Sequence, residues 1–197
     1  MKFLNNLDLR LYQQAILGTA TNNNTLVVIP TGLGKTFIAV GLASLFYKKG
    51  KVLIMAPTKP LCVQHKKTFS NFFDGELAVL TGAVPPEERK TLWSDSKIIF
   101  ATPQTVENDI IRRFLKLEDF SLITFDEAHR TTGDYAYAWI AKQYSKLPNH
   151  RILALTASPA SEKAKLDEIC NNLNNTPMTN QTGTDFHPHP FALSAYL

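Results

Sequence analysis

The sequence predicts an α/β fold, with a doubly wound, mainly parallel sheet and helices on both of its faces. Short runs rich in Val, Ile and Leu recur along the chain, and stretches of helical periodicity separate them. The runs are apolar throughout instead of alternating, which is typical of strands covered on both faces. They end in small, polar or charged residues, where open α/β sheets place their ligands. Together these three observations indicate the α/β class.

The predicted elements alternate between strand and helix. We expect strands at residues 25–29, 51–55, 76–80, 97–101, 121–125 and 151–155. The first helix is expected at residues 35–48, because Ile38, Leu42 and Leu45 recur at helical spacing and two lysines near its end complement the helix dipole. Similar helical candidates occupy residues 60–73, 85–93, 106–115 and 136–144.

Length and composition indicate one globular domain followed by a tail. The chain has 197 residues, of which 44% are hydrophobic and 19% charged, as in ordinary globular proteins. We expect the domain to span residues 1–175. From about residue 176 the sequence is polar and has neither a period nor any Lys or Arg, so residues 176–197 are predicted to be a mostly disordered tail.

Charge and cysteine content bear on partners and compartment. The formal net charge of +4 favours an anionic partner such as nucleic acid, although it is also ordinary for an enzyme of this size. Cys62 and Cys170 stand far apart and fit neither a disulfide framework nor a zinc site, which indicates a reducing, cytoplasmic location. No apolar run approaches the roughly 18 residues that a membrane span needs, so we expect neither secretion nor insertion.

A glycine-rich segment between the first strand and the first helix predicts a site for a nucleoside triphosphate. The segment reads Thr31-Gly32-Leu33-Gly34-Lys35-Thr36. Glycines let such a loop turn tightly, so that its backbone N–H groups can surround phosphates. Lys35 is expected to reach the β- and γ-phosphates, and the Thr36 hydroxyl to ligate Mg²⁺. Ile29 stands where the GxxxxGK[ST] pattern has its first glycine, so the loop is a variant of the usual one.

Two adjacent carboxylates follow the apolar run at residues 121–125, in the tetrad Asp126-Glu127-Ala128-His129. We expect this strand to lie beside the strand that precedes the glycine-rich loop, so that Asp126 faces the metal. A metal-bound triphosphate also needs an oriented attacking water, and Glu127 is placed to act as its general base. Asp126 is therefore predicted as a metal ligand and Glu127 as a catalytic residue.

The segment Arg10-Leu11-Tyr12-Gln13 precedes the first strand and predicts a preference for adenine. The Gln13 amide offers one donor and one acceptor, which match the N6 and N7 edge of adenine, and Arg10 or Tyr12 can stack or buttress. The alternative is an amphipathic helix that buries Leu7, Leu11 and Ile16 and leaves Gln13 in water. The residues of this segment do not by themselves decide between the two.

The chain resembles the first motor domain of the superfamily 2 helicases, which is a RecA-like P-loop NTPase domain. The matching segments are the adenine-reading Gln13, motif I at residues 30–36, motif II at residues 126–129 as DEAH, and motif III at residues 156–158. Their order and spacing agree over roughly residues 8–175. Within the superfamily the chain is most similar to archaeal Hef and the Fanconi anaemia group M translocase, and less similar to Dicer and the RIG-I-like receptors.

The resemblance implies that loops at the strand ends touch the sugar-phosphate backbone of a nucleic acid. The residues concerned are Pro57, Thr58, Lys59, Thr102 and Gln104. Thr81 and Gly82 also follow a predicted strand, and we expect them to add another backbone contact. Hydroxyls, a lysine and exposed N–H groups bind phosphates without reading sequence, which suits a translocating motor. Taken without the neighbouring motifs, the same loops would be turns in which Thr or Pro begins the next helix.

The resemblance also implies that Lys35 and His129 belong to the catalytic set and that Thr156 and Ser158, with His129, couple the phosphate site to the nucleic acid. It suggests an ATP-dependent DNA helicase or translocase that acts on branched or forked DNA in DNA repair. Helicases of this superfamily use an arginine from a second motor domain, and no such motif follows residue 173. We therefore expect ATP binding with poor hydrolysis. An RNA motor of the Dicer or RIG-I type, and an ATP-gated nucleic-acid-binding module without turnover, remain alternatives.

Overall fold

The structure is a computed structural model that describes residues 1–4, 7–132, 135–148, 150–157 and 191–195. The strands are β1 (Lys2–Phe3), β2 (Asn24–Val28), β3 (Lys51–Met55), β4 (Phe73–Asp74), β5 (Leu77–Leu80), β6 (Ile98–Ala101), β7 (Phe120–Asp126), β8 (Ile152–Thr156) and β9 (Phe191–Ala195). The helices are α1 (Leu11–Asn22), α2 (Lys35–Phe46), α3 (Lys59–Phe69), α4 (Pro86–Asp95), α5 (Pro103–Ile111) and α6 (Tyr135–Tyr144). Short 3-10 helices occupy Leu117–Asp119 and Ala128–Thr132.

The main sheet has the order β5-β6-β3-β7-β8-β2-β9, and each of these pairings is parallel. Strands β6 and β8 are buried along their whole length, as their unbroken apolar sequences require. Parallel neighbours need a crossover, and helices supply most of these crossovers. The carboxyl ends of the strands consequently meet at one edge. This architecture confirms the predicted α/β fold with a doubly wound, mainly parallel sheet. Strands β1 and β4 form a separate antiparallel pair.

Alternate residues of each inner strand enter opposite apolar cores. In β3, Leu53 and Met55 join the core that is covered by α4, α5 and α6, whereas Val52 and Ile54 join the core that is covered by α1, α2 and α3. Each fully buried Leu or Ile side chain stabilises the fold by about 1.5–3 kcal/mol relative to exposure. The two cores hold the sheet rigidly between two layers of helices. Within the described residues, none of the helices has the length and hydrophobicity that a bilayer crossing requires.

The helix predicted at residues 106–115 begins earlier, at Pro103, and ends at Ile111. Pro103 suits the first turn of a helix, where its missing N–H has no intrahelical partner to lose. Arg113, just beyond the helix, adopts a left-handed φ of 59°, which a continuing helix does not tolerate. At each end, the six predicted main-sheet strands match the observed strands or differ from them by one residue.

Two expectations about the sheet were wrong. The strand that carries Asp126 does not lie beside the one that precedes the glycine-rich loop, because β8 pairs with both β2 and β7 and separates them. Asn24 stabilises this arrangement, since its Oδ1 accepts the N–H of Ile152 at 2.8 Å. The prediction of a disordered tail does not hold for residues 191–195, which pair with β2 as strand β9. This segment is mainly apolar, unlike the polar sequence from residue 176 on which the prediction rested. Residues 176–190 lie outside the described part.

Candidate active site

The carboxyl edge of the sheet brings the predicted nucleotide-binding residues together. Strand β2 leads into the glycine-rich loop at residues 29–34, and α2 begins directly after it at Lys35. Strand β8 ends at Thr156, and β7 ends at Asp126. Open α/β sheets bind their ligands in the crevice at this edge. The edge is therefore the candidate active site.

The glycine-rich loop depends on two left-handed residues, Gly32 with a φ of 85° and Gly34 with a φ of 77°. Side chains other than glycine rarely adopt this conformation, so the glycines set the path of the chain. Ile29 is 1% exposed, and its N–H donates to the carbonyl of Thr156 at 3.2 Å. The position usually held by the first glycine thus continues the strand and fills the core, which explains why isoleucine fits there. The amino end of α2 follows, where free N–H groups and the helix dipole favour an anion.

Lys35 curls back over the start of this loop. Its Nζ donates to the carbonyl of Ile29 at 3.0 Å and to that of Pro30 at 3.4 Å. Among the residues that the structure describes, no carboxylate forms a salt bridge with it. Its charge is therefore uncompensated by the protein and available to a phosphate. Thr36 occupies the next position of α2, at the same edge.

Gln13 is buried against the loop instead of lying in water. Its Nε2 donates to the carbonyls of Leu33 at 3.2 Å and Gly34 at 3.3 Å, and its Oε1 accepts the N–H of Arg10 at 2.9 Å. The hydroxyl of Tyr12 donates to the carbonyl of Leu33 at 2.6 Å. Gln13 is 4% exposed. The alternative of an outward Gln13 over a buried Leu11 is wrong, because Leu11 is 84% exposed.

Asp126 is 7% exposed and has a partner that the sequence did not reveal. Its Oδ2 hydrogen-bonds to Nε2 of His65 at 2.8 Å, and His65 is also 7% exposed. Within the described residues, Oδ1 has no hydrogen-bond partner from the protein. The one available signal was the spacing of Cys62, His65 and Phe69, which share the buried face of α3. A polar residue on such a face requires a buried partner.

Glu127 has an unusual backbone conformation and contacts His129, one of the residues that were predicted to couple the phosphate site to the nucleic acid. Its φ of 53° lies in the left-handed region, which non-glycine residues rarely adopt. Glu127 Oε2 lies 3.4 Å from Nδ1 of His129, and this nitrogen lies 3.1 Å from Oγ1 of Thr156. The contacts form a line from the Glu127 carboxylate, the predicted general base, to the end of β8. Ser158, the other predicted coupling residue, lies outside the described residues.

The donor set at this edge fits Mg²⁺ carried by a triphosphate. Asp126 offers a carboxylate and Thr36 a hydroxyl, and both are hard oxygen donors. Mg²⁺ is usually held by one or two carboxylates together with substrate phosphates and waters. The described residues contain no group of three or more His, Cys, Asp or Glu suited to a metal, so they form no cage made of protein ligands alone. Nearby, burial raises the pKa of the Cys62 thiol to about 11, so this thiol is neither a ligand nor a nucleophile at neutral pH.

The loops that were predicted to touch nucleic acid continue the same edge on the other side of β7. They follow β3, β6 and β5, which are neighbours in the sheet. Thr58, Lys59, Gly82 and Gln104 are exposed. Pro57 and Thr102 are half-buried, whereas Thr81 is buried and its Oγ1 accepts the N–H of Ala83 at 3.4 Å. Thr81 thus shapes the turn that presents Gly82.

A buried cluster beneath these loops, which we term the clamp, consists of Arg89, Trp93 and Asp109. Arg89 donates from Nε and Nη2 to the two oxygens of Asp109 at 2.6 and 2.7 Å, and Trp93 Nε1 donates to Oδ2 at 2.8 Å. Arg89 Nη1 also donates to the carbonyl of Val84 at 2.5 Å, which ties the clamp to the loop after β5. The hydrogen bonds from Arg89 to Asp109 raise the pKa of the guanidinium. No sequence motif indicated this cluster.

Comparisons with known proteins agree with this geometry. The profile of the DEAD/DEAH box helicases matches residues 10–166. The helicase domain of Pyrococcus furiosus Hef superposes with a TM-score of 0.82 and is 46% identical, covering 88% of this chain and 38% of that one. MJ1505 of Methanocaldococcus jannaschii, provisionally named an ATP-dependent RNA helicase, is 44% identical over 97% of this chain and 25% of its own length.

The DEAD-box ATP-dependent DNA helicase Fancm of Drosophila melanogaster is 39% identical over 94% of this chain and 13% of its own length. The chain thus spans about a quarter or less of these two relatives. The match to the helicase profile nevertheless covers most of the chain, from the segment before Gln13 to beyond Thr156. The chain belongs to the DEAD/DEAH box helicase family.

Proposed function

We propose that this chain is the ATP-binding motor domain of an ATP-dependent DNA helicase or translocase that acts on branched or forked DNA. The observation that carries the proposal is the line of contacts from Glu127 through His129 to Thr156, beside the glycine-rich loop. It connects a candidate general base with the strand next to the phosphate loop. The likeness to Fancm, which is named an ATP-dependent DNA helicase, supports DNA as the nucleic acid. A second motor domain completes the motor and supplies an arginine to the γ-phosphate.

Nucleotide binding uses groups that the protein leaves uncompensated. The N–H groups of the loop and of the first turn of α2 surround the phosphates. Lys35 exchanges the carbonyls of Ile29 and Pro30 for phosphate oxygens, which are stronger partners for an ammonium group. Gln13 gives the preference for adenine by exchanging one of the loop carbonyls that its Nε2 now contacts for N7, while the second lone pair of Oε1 accepts from N6. ATP is therefore the proposed substrate.

Hydrolysis follows from the two adjacent carboxylates at the end of β7. Mg²⁺, when held by Asp126 and the Thr36 hydroxyl, neutralises charge on the β- and γ-phosphates. His65 fixes the Asp126 carboxylate in place. Glu127 takes a proton from the attacking water as the water oxygen bonds to the γ-phosphorus and the bond to the ADP oxygen breaks. The products are ADP and phosphate.

The nucleic acid lies across the loops after β3, β5 and β6, which contact its sugar-phosphate backbone. Lys59 provides a charge, and Gly82 and Gln104 lie exposed at the same edge. The path from Glu127 to Thr156 transmits the state of the γ-phosphate to the sheet. These contacts are independent of base sequence, as movement along a strand requires.

The proposal is tested by hydrolysis of ATP in a single turnover, alone and after addition of a second motor domain. We expect forked DNA to stimulate the complete pair and Glu127→Gln to slow hydrolysis by about 10²–10⁴-fold, since it removes the general base. Equal rates for the wild type and Glu127→Gln, with no stimulation by DNA, would contradict the proposal.

An RNA-directed motor is the second candidate, because MJ1505 is named an RNA helicase. Parallel assays with forked DNA, duplex RNA and single-stranded RNA of equal length separate the two. Stronger stimulation by RNA would assign the RNA function. ATP-sensitive DNA affinity without release of phosphate would instead identify a binding module, and this affinity should fall as the salt concentration rises.

A further inference from the structure

Two tyrosines of α6 reach the same strand in the same way. Tyr137 and Tyr144 are 0% and 1% exposed. The Tyr137 hydroxyl donates to the backbone carbonyl of Asp126 at 2.8 Å, and the Tyr144 hydroxyl donates to the carbonyl of Phe120, also at 2.8 Å. The two carbonyls belong to opposite ends of β7. One tyrosine therefore acts at the active site and the other at the far edge of the sheet.

The carbonyl that Tyr137 holds belongs to the peptide that joins Asp126 to Glu127. The orientation of this peptide plane sets ψ of Asp126 and φ of Glu127 together. Glu127 has a φ of 53°, a conformation that persists in a non-glycine residue only where its surroundings impose it. The Tyr137 hydrogen bond is such a constraint, because turning the peptide plane would move the carbonyl oxygen away from the hydroxyl.

The end of β7 is held from both faces of the sheet. His65, on α3, hydrogen-bonds to the carboxylate of Asp126 from one face. Tyr137, on α6, hydrogen-bonds to the carbonyl of the same residue from the other face, and its ring packs on Phe125 with centroids 5.7 Å apart. The first contact fixes the candidate metal ligand and the second fixes the peptide that leads to the candidate base.

We propose that Tyr137 is a positioning residue for hydrolysis. Its hydroxyl keeps the Asp126–Glu127 peptide in the orientation that holds the Glu127 carboxylate beside His129 and over the attacking water. This inference rests on the proposed function, because it takes Glu127 as the general base. Tyr137 acts through Glu127 and does not itself contact the reacting atoms.

The experiment compares Tyr137→Phe with Tyr144→Phe. Both variants keep the ring and lose a buried hydrogen bond to a carbonyl of β7, and Tyr144→Phe also removes the acceptor of the Arg151 N–H at 3.4 Å. A merely structural role therefore predicts an effect for Tyr144→Phe at least as large as that for Tyr137→Phe. Burial raises the pKa of Tyr144 to about 12, so its hydroxyl stays a donor at any assay pH. We expect Tyr137→Phe to slow single-turnover hydrolysis about tenfold or more while ATP affinity stays within about twofold. Tyr144→Phe should change neither. Equal rates for the two variants would overturn the proposal.

A double variant tests whether Tyr137 acts through Glu127. If it does, Tyr137→Phe should cause no further loss in a Glu127→Gln background, whereas independent effects would multiply. Failure of the proposed function is recognised separately, since Glu127→Gln would then hydrolyse ATP as fast as the wild type. Hydrogen exchange at the amides of Glu127 and Ala128 decides the positioning role without turnover. Faster exchange in Tyr137→Phe than in Tyr144→Phe supports the role, and equal exchange contradicts it.

Discussion

Asp109 in the clamp and Asp126 in the candidate active site are both buried carboxylates, but they accept different numbers of hydrogen bonds. Asp109 is 0% exposed and accepts three hydrogen bonds, two from Arg89 and one from Trp93. Asp126 is 7% exposed, and within the described residues His65 is its one side-chain partner. The two side chains are chemically identical, so the difference comes from their surroundings.

The carboxylates of Asp109 and Asp126 show how the same group serves structure in one place and is available for a ligand in another. The Asp109 carboxylate is fully buried and bonded on both oxygens to a guanidinium, so it is closed to a ligand. Through Arg89 it fixes α4, α5 and the loop after β5 relative to one another. A carboxylate with a free oxygen at a sheet edge can take a cation. The same distinction holds for the cations, because Arg89 is paired with a carboxylate, whereas the partners of Lys35 within the described part of the chain are all carbonyls.

The largest expected effect distinguishes the two carboxylates by stability. Asp109→Asn should lower the free energy of unfolding by about 3–5 kcal/mol, since it leaves the buried Arg89 charge unpaired. Asp126→Asn should cost less than about 1.5 kcal/mol, because the amide can still hydrogen-bond to His65. Urea unfolding of both variants measures the difference. Equal losses would show that the two sites are equally structural.

The second effect concerns the uncompensated cation. Lys35→Ala should weaken ATP affinity by about 10- to 100-fold, as expected for loss of a hydrogen bond to a charged group. Stability should change by less than about 0.5 kcal/mol, because the ammonium donates to just two carbonyls among the residues that the structure describes. Lys59→Ala, at the exposed lysine after β3, is the control and should leave ATP affinity unchanged. Titration with a fluorescent ATP analogue measures the affinity of both variants. A loss of stability in Lys35→Ala without a loss of affinity would contradict the assignment.

A smaller effect is expected from the left-handed glycine before α2. A Cβ at Gly34 would lie 2.6 Å from Nε2 of Gln13 and would have to adopt a φ of 77°. Gly34→Ala should therefore destabilise the chain by about 1–2 kcal/mol and displace Gln13. Gly82→Ala is the matched control, since no heavy atom lies within 4 Å of its Cβ position and its φ is not positive. Thermal unfolding that ranks the two variants in the opposite order would refute the strained role of Gly34.

The last prediction concerns the reactivity of Cys62, which shares the buried face of α3 with His65 and can report whether this face opens. With a pKa of about 11 its thiolate fraction at pH 8 is about one in a thousand, so alkylation should be slow. The rate should rise with pH until about 11, because burial disfavours the thiolate, whereas an exposed thiol levels off near 9. A Cys170→Ser background isolates the signal, which mass spectrometry can follow. Rapid alkylation at pH 8 would show that this face opens.

The strand ends were predictable because their chemistry is local in sequence. The glycine-rich loop and the acidic tetrad each consist of consecutive residues directly after an apolar run, so composition and order suffice. Profile and structure matches confirm the family that these motifs indicated. The partners of these motifs were not predictable. His65 lies 61 residues from Asp126, and Tyr137 has no distinguishing neighbours.

The strand order was mispredicted for a related reason. The crossover connections decide which strands become neighbours in a parallel sheet. No residue near 126 indicates that β8 lies between β7 and β2. The clamp escaped detection because arginine, tryptophan and aspartate at residues 89, 93 and 109 belong to two separate helices. Only the fold shows that they meet.

The position of β8 also sets the order in which the active site can assemble during synthesis. β2 emerges early, but it pairs with a strand 128 residues later, as the hydrogen bond from Ile152 to Asn24 illustrates. Until β8 fills the gap, the phosphate loop has no connection through the sheet to the carboxylates of β7. Contacts of such high sequence separation form slowly. A nascent chain therefore completes this edge of the sheet only after residue 156 has left the ribosome.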